Sequence, residues 1–256
     1  MLLVVDVGNT NMVLGLFTDD VLQHSWRIRT DYSRTDDEYA MLINDLMNFS
    51  SIQLNNIDAV IISCVVPPVL DALRRMTVKY FATEPYIVSS DMNTGMDVQY
   101  DNPAEVGADR IVNAVAAYQR FKCSLLVVDF GTATTFDYIN GDGDYCGGAI
   151  APGLGISADA LHAQASKLPR VEIIAPPVVV AKNTVNSMQA GLLYGYAGLV
   201  DGIVKRMKRE VGGNPVVVAT GGLAEQIAQA SESIDEIDPL LTLKGLLYLY
   251  KLNLSN

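Results

Sequence analysis

The chain has little of what marks a metal-stapled, secreted or nucleic-acid-binding protein. Its three cysteines, Cys64, Cys123 and Cys146, are widely spaced, odd in number and form no C-x-x-C pair. That usage predicts buried free thiols in a reducing compartment and excludes a disulfide framework. The two histidines, His24 and His162, stand apart, so no zinc constellation can be assembled from them. Positive charge is scarce: 18 Lys and Arg stand against 29 Asp and Glu, for a formal charge of −11. Binding to a phosphate backbone draws on basic surface, so nucleic acid is excluded as the main partner. No helix-turn-helix pattern argues for direct DNA contact either. The first apolar stretch has no basic segment before it and is interrupted early by Asp6, unlike a signal peptide. AVIISCVVPPVL (59–70), one of the longest apolar stretches, is too short to span a bilayer. Together these absences predict a cytoplasmic protein that engages no membrane. Two nucleotide motifs are also missing. No G-x-x-x-x-G-K-[ST] occurs, which excludes a P-loop, and no G-x-G-x-x-G comes after the first strand, which weakens a dinucleotide fold.

What is present is a motif that occurs twice. Residues 3–10 read LVVDVGNT and residues 126–134 read LVVDFGTAT, separated by about half the chain. Each copy is an apolar, β-branched run, hence a buried strand, ending in Asp6 or Asp129. Such a carboxylate can hold a magnesium ion directly or through water. Gly8 and Gly131 permit a tight turn and let a phosphate approach the backbone. Asn9, Thr10, Thr132, Thr134 and Thr135 add hydroxyl, amide and backbone N–H donors. One copy alone would read as a plain β-hairpin, because Asp and Gly are common turn residues. Two copies at half-chain spacing favour two similar lobes that each present a loop to an anion. A third segment, VVVATGG (216–222), is a buried strand running into a glycine pair and a helix start. Gly221 and Gly222 there would let a base or ribose lie against the backbone, near helix N–H groups. An ordinary strand-to-helix connection is the alternative.

Half the residues are hydrophobic, enough for a sizeable core. The first half reads as strands over 2–7, 12–17, 21–29, 58–65 and 85–89, with helices over 36–49 and 67–81. Acidic residues suit the start of the first helix, and Pro67 and Pro68 suit the first turn of the second. The second half repeats the order, with strands over 124–129, 134–139, 145–150 and 215–219, a hairpin at GDGD (141–144), and a helix over 223–230. The pattern predicts an α/β protein of two duplicated lobes, each a mixed five-stranded sheet with flanking helices, with a cleft between them. The lobes are expected over 1–108 and 109–256. Helices over 109–121 and 184–210 are expected to join them, with a C-terminal helix over 242–253. The long 184–210 helix carries more apolar surface than one lobe would bury, which suggests a subunit interface or a lobe–lobe contact.

These motifs resemble the acetate and sugar kinase/Hsp70/actin superfamily, and within it the type III pantothenate kinases. The resemblance runs over nearly the full length. It rests on DVGNT (6–10), DNPAEVGADRIVNAVAAY (101–118), DFGTATTFD (129–137), GGAIAPGL (147–154), KLPRVE (167–172), NTVNSMQAG (183–191) and ATGG (219–222). The GADR and NTVNSMQAG segments are the most specific of these. Ala181 departs from the pattern, where a glycine is expected.

The resemblance implies an actin-like, ribonuclease H-like fold and ATP-dependent phosphorylation of the terminal hydroxyl of pantothenate, the first step of coenzyme A biosynthesis. It implies a phosphate loop of Asp6, Val7, Gly8, Asn9, Thr10, Asn11, Met12 and Val13, with Asp6 near magnesium and Thr132 contacting ATP. Asp129 would hold a monovalent cation, potassium or ammonium. Tyr100, Gly107, Ala108, Asp109, Arg110 and Thr184 would line the pantothenate site, with Asp109 as base. It implies a homodimer, with Thr184 supplied across the interface. From the residues alone, Asp109 is as well read as the cap of a helix starting at Arg110, Arg110 as a solvated helix charge, and Tyr100 as a packed ring. Three readings compete: a kinase of the same superfamily acting on another small hydroxyl or carboxylate substrate, a non-enzymatic nucleotide-gated transcriptional accessory protein, and a chaperone-like ATPase. The last lacks a substrate domain after the two lobes.

Overall fold

A computed structural model describes residues 1–254. In chain order the first half comprises β1 (Leu2–Val7), β2 (Asn11–Thr18), β3 (Val21–Arg29), α1 (Asp36–Phe49), β4 (Ala59–Cys64), α2 (Pro67–Phe81), β5 (Tyr86–Ile87) and α3 (Ala108–Phe121). The second comprises β6 (Leu125–Phe130), β7 (Ala133–Ile139), β8 (Tyr145–Pro152), α4 (Leu154–Gln164), α5 (Thr184–Val211), β9 (Val216–Gly221), α6 (Ala224–Ala228), β10 (Glu236–Ile237) and α7 (Leu241–Leu254).

Each half builds one mixed five-stranded sheet, in the order β3-β2-β1-β4-β5 and its equivalent β8-β7-β6-β9-β10. The central strands β1 and β6 are antiparallel to their hairpin partners and parallel to β4 and β9. Alternation along β1 sends Leu3, Val5 and Val7 into a core with Tyr39, Ile43, Leu73 and Met76. Along β6, Leu126, Val128 and Phe130 pack with Leu193, Tyr196 and Val200. Full burial of each such side chain contributes roughly 1.5–3 kcal/mol.

Local chemistry fixes the helix starts. Thr35 and Glu38 form a reciprocal capping box at α1, beside three acidic residues in its first turn. Pro67 and Pro68 open α2, where a missing N–H costs nothing. The GDGD turn closes as expected, with Asn140 N–H donating to the Asp144 carbonyl and Gly143 at φ +93°. The strand β10, two residues long, carries no periodic signal that sequence reading could have used.

The compact units divide differently from the expected break at 108/109. One is Met1–Ala116 with Leu241–Asn256, and the other is Ala117–Leu240. The division falls inside α3, and the last helix belongs with the first sheet. The reason is packing. The first sheet's other face, carrying Val4 and Gly15, lies against Leu243 of α7. Gly245 of α7 stands where a side chain would strike the Val112 backbone of α3. A second difference from expectation concerns α5. It lies wholly in the second unit, where Met188, Leu192, Leu193, Tyr196, Ala197, Val200 and Val204 are buried. The apolar excess read from residues 184–210 is largely absorbed by that unit's own core.

Gly245→Ala is expected to push α7 off α3 and cost about 1–3 kcal/mol through overpacking. Chemical denaturation, with hydrogen exchange reporting on α7, measures this.

Candidate active site

The first duplicated loop is held by its own carbonyl groups. Asp6 is half-buried near the end of β1, in a row between Val13 of β2 and Ser63 of β4. After it the chain turns tightly, with Gly8 N–H donating to the Asn11 carbonyl at 3.0 Å. The Val7 carbonyl accepts from Val65 N–H at 3.1 Å, and the Thr10 carbonyl from Thr30 N–H at 3.0 Å. The Gly8 carbonyl accepts from the Thr30 hydroxyl at 2.7 Å, and the Asn9 carbonyl from the Tyr32 hydroxyl at 3.1 Å. Four successive carbonyls are thus engaged by the protein. Thr30 and Tyr32 lie outside the motif, and nothing in their local sequence marked them.

The second loop is a related turn in the other unit, one residue shorter. Asp129 lies in a row between Thr135 of β7 and Thr220 of β9. Gly131 N–H donates to the Ala133 carbonyl at 3.0 Å, and the Thr132 carbonyl accepts from Gly153 N–H at 3.0 Å. Gly221 has φ +93°, and a Cβ on it would lie 2.5 Å from Asp129 Oδ1 and 2.7 Å from Phe130 N. A glycine is therefore required to seat this carboxylate. Gly222 comes next, exposed, ahead of α6. Asp129, Thr132, Gly221 and Gly222 are thus brought together within one unit.

The GADR segment leads into α3 in the first unit. The helix begins at Ala108, so Asp109 lies in its first turn and does not cap it. Asp109 Oδ1 accepts the Arg110 N–H at 2.8 Å. A Cβ on Gly107 would come within 2.6 Å of the same oxygen, so Gly107 is what lets this carboxylate sit where it does. Burial pushes the Asp109 carboxyl above the ordinary carboxylate range, against the lowering pull of the Arg110 amide and guanidinium. Arg110 is buried rather than solvated.

Beside this turn is a cavity of about 860 Å³, lined by Cys64, Val65, residues on the 88–98 segment, and Gly107 and Ala108. Tyr100 is half-buried nearby in sequence but does not line it. Cys64 is a lining residue that sequence reasoning assigned only to packing. It is half-buried, and burial raises its thiol pKa. The other two cysteines are likewise free and half-buried rather than fully buried. Thr184 is in the second unit, the first residue of α5, on a separate open hollow with Lys182, Asn183 and Ser187. Among the described residues, no cluster of three or more His, Cys, Asp or Glu could hold a metal, and no helix is long and apolar enough to cross a membrane.

A family model for type III pantothenate kinase matches residues 2–206. The chain is 60% identical over 253 residues to a type III pantothenate kinase of Syntrophotalea carbinolica, and 58% identical to that of Geobacter sulfurreducens. In each case 99% of both chains is covered. Among solved structures it resembles a Campylobacter jejuni protein assigned to the Baf family of transcriptional activators, with TM-score 0.60, 18% identity and 99% and 100% coverage. It also resembles a Porphyromonas gingivalis protein assigned as an N-acetylglucosamine kinase, with TM-score 0.56, 11% identity and 99% coverage of both chains. At these identities the structural likeness speaks for the actin-like sugar-kinase fold alone.

The raised Asp109 pKa has a signed consequence for stability. A carboxyl whose folded pKa lies above its unfolded one contributes stability that is complete below the ordinary carboxylate pKa of about 3.9 and is lost as pH rises through the folded value. Denaturation midpoints of the wild type and Asp109→Asn, measured from about pH 3 to 8, are expected to diverge in that window, with the wild type losing ground as pH rises. Parallel curves would contradict the burial argument.

Proposed function

The chain belongs to the type III pantothenate kinases, which use ATP and a divalent metal to phosphorylate pantothenate in coenzyme A biosynthesis, and we propose a division of that reaction among its residues. Pantothenate occupies the cavity beside α3, where Gly107 and Ala108 leave room for it. Arg110 offers its planar fork to the substrate carboxylate, and Tyr100 flanks the approach. Asp109 receives the proton of the terminal hydroxyl. The hydroxyl oxygen bonds to the γ-phosphorus, the bond from that phosphorus to the β,γ-bridging oxygen breaks, and ADP leaves. The observation that carries this reading is the half-buried Asp109 carboxylate, seated by Gly107, which with Ala108 lines a cavity of a size to take the acceptor, although Asp109 and Arg110 do not themselves line it. A raised pKa makes it a better proton acceptor than an exposed carboxylate at the same pH.

The phosphates of ATP are held by the donor side of the Asp6–Val13 turn and by Thr132, with the nucleoside against Gly221 and Gly222. A divalent cation bound with the nucleotide would be held by the half-buried Asp6 carboxylate, with phosphate oxygens and water supplying the rest of its shell. Asp129 is the counterpart for a monovalent cation, potassium or ammonium. When bound, these ions neutralise charge on the phosphate oxygens during transfer. The protein acts in the cytoplasm as a homodimer. Support for association comes from the segment ahead of α5, where Ile174, Val178, Val179 and Val180 are exposed, Val180 at 87%. Thr184 adjoins that segment and would reach the partner's pantothenate.

The test is ATP-dependent phosphorylation of pantothenate with magnesium, in potassium and then in sodium buffer. Product in potassium but not sodium is expected, and no product in either would contradict the assignment. Asp109→Asn is expected to lower kcat by about 10²–10⁴-fold, with ATP affinity nearly unchanged. In the wild type kcat/KM should rise with pH through the raised Asp109 pKa. Asp129→Ala should abolish potassium-dependent activity, and equal wild-type rates in sodium and potassium would remove the cation site.

A further inference from the structure

Ser63 is a polar residue in the otherwise apolar strand β4, which reads AVIISC. It is fully buried, at 0% exposure, and its hydroxyl has no hydrogen-bond partner. An orphaned buried hydroxyl destabilises the fold, and alanine would avoid that penalty at nearly the same size. Its place in the sheet is specific. Ser63 is the parallel-strand partner of Asp6, and strands lie about 4.8 Å apart. Residues in one row point to the same face, so the hydroxyl and the carboxylate are neighbours on that face. Across the row on the other side is Val13, which has no polar group to offer.

The second half of the chain supplies an internal comparison. The parallel-strand partner of Asp129 is Thr220, 1% exposed, in an equally apolar strand that reads VVVATG. The two strands differ at most positions, yet both place a buried hydroxyl in the aspartate's row. A packing role would be served by alanine in place of Ser63 and by valine in place of Thr220.

We infer that Ser63 is a positioning residue for the divalent cation, its hydroxyl turning to hydrogen-bond the neighbouring Asp6 carboxylate that holds the ion. Magnesium sheds water reluctantly and is commonly bound through one or two carboxylates with several waters kept. With so few protein ligands, a hydroxyl that fixes the carboxylate's orientation bears directly on the ion. Outer partners of this kind typically change metal affinity by about 10–100-fold. The inference rests on the reading that Asp6 holds the divalent cation.

The experiment is manganese binding in the presence of the β,γ-imido analogue of ATP, with free Mn²⁺ read by electron paramagnetic resonance. It compares the wild type, Ser63→Ala, Ser63→Thr and Asp6→Asn, with the Tm of each. Ser63→Ala is expected to bind Mn²⁺ about tenfold more weakly while its Tm stays level or rises, since an orphaned hydroxyl has been removed. Ser63→Thr, the residue type found in the equivalent row, should restore binding. Asp6→Asn should lose it. Wild-type Mn²⁺ affinity in Ser63→Ala alongside impaired Asp6→Asn would overturn the inference alone. Unchanged affinity in both variants would overturn the Asp6 reading as well. Weakened binding that threonine does not restore would assign Ser63 a packing role and also overturn it.

Discussion

In each unit the site depends on how the central strand is paired. β1 and β6 are held antiparallel on one side and parallel on the other, which fixes their register along the full length of the strand. A slip of one residue would turn every side chain to the opposite face. Leu3, Val5 and Val7 would leave the core, and Asp6 would enter it. The hydrophobic alternation that stabilises the sheet is therefore the same constraint that delivers a carboxylate to the strand end. The loop after each aspartate is short and stiff. It is a glycine turn closed by one backbone hydrogen bond, with neighbouring carbonyls engaged by Thr30 and Tyr32 in one unit and by Gly153 in the other.

The setting of Asp109 is built from a different element with a different physics. Asp109 is carried on a helix rather than a sheet, in the first turn of α3, where N–H groups favour a negative charge and burial opposes it. Burial prevails. Gly107 makes that possible, because any side chain there would displace the carboxylate. The helix itself is anchored by the close approach of Gly245 to Val112, so the C-terminal helix supports the Asp109 turn from more than a hundred residues away in sequence.

Much of this was legible in the sequence, for identifiable reasons. The duplicated aspartate-glycine turns were visible because β-branched runs ending in Asp and Gly are rare enough to notice twice. GADR and NTVNSMQAG carried the family. The features hidden in the sequence were those that depend on pairing. Ser63 is one serine among many until β4 is set beside β1. Thr30 and Tyr32 become loop anchors only once β3 returns past the turn. Asp109 read equally well as a helix cap, and only the start of α3 at Ala108 separates the two. The division of the chain was misplaced because no composition change marks Leu241, where the chain returns to the first sheet. The apolar excess of α5 was real, but its own unit absorbs most of it, while the exposed valines of residues 178–180 precede the helix.

The central claim is that two aspartates in equivalent rows have separate duties, Asp6 toward a divalent ion and Asp129 toward a monovalent one. Anomalous scattering from crystals grown with manganese, thallium(I) and the imido analogue of ATP tests it directly. A manganese peak at Asp6 with a thallium peak at Asp129 is the predicted result. Both ions at one aspartate, or thallium absent from Asp129, would contradict it.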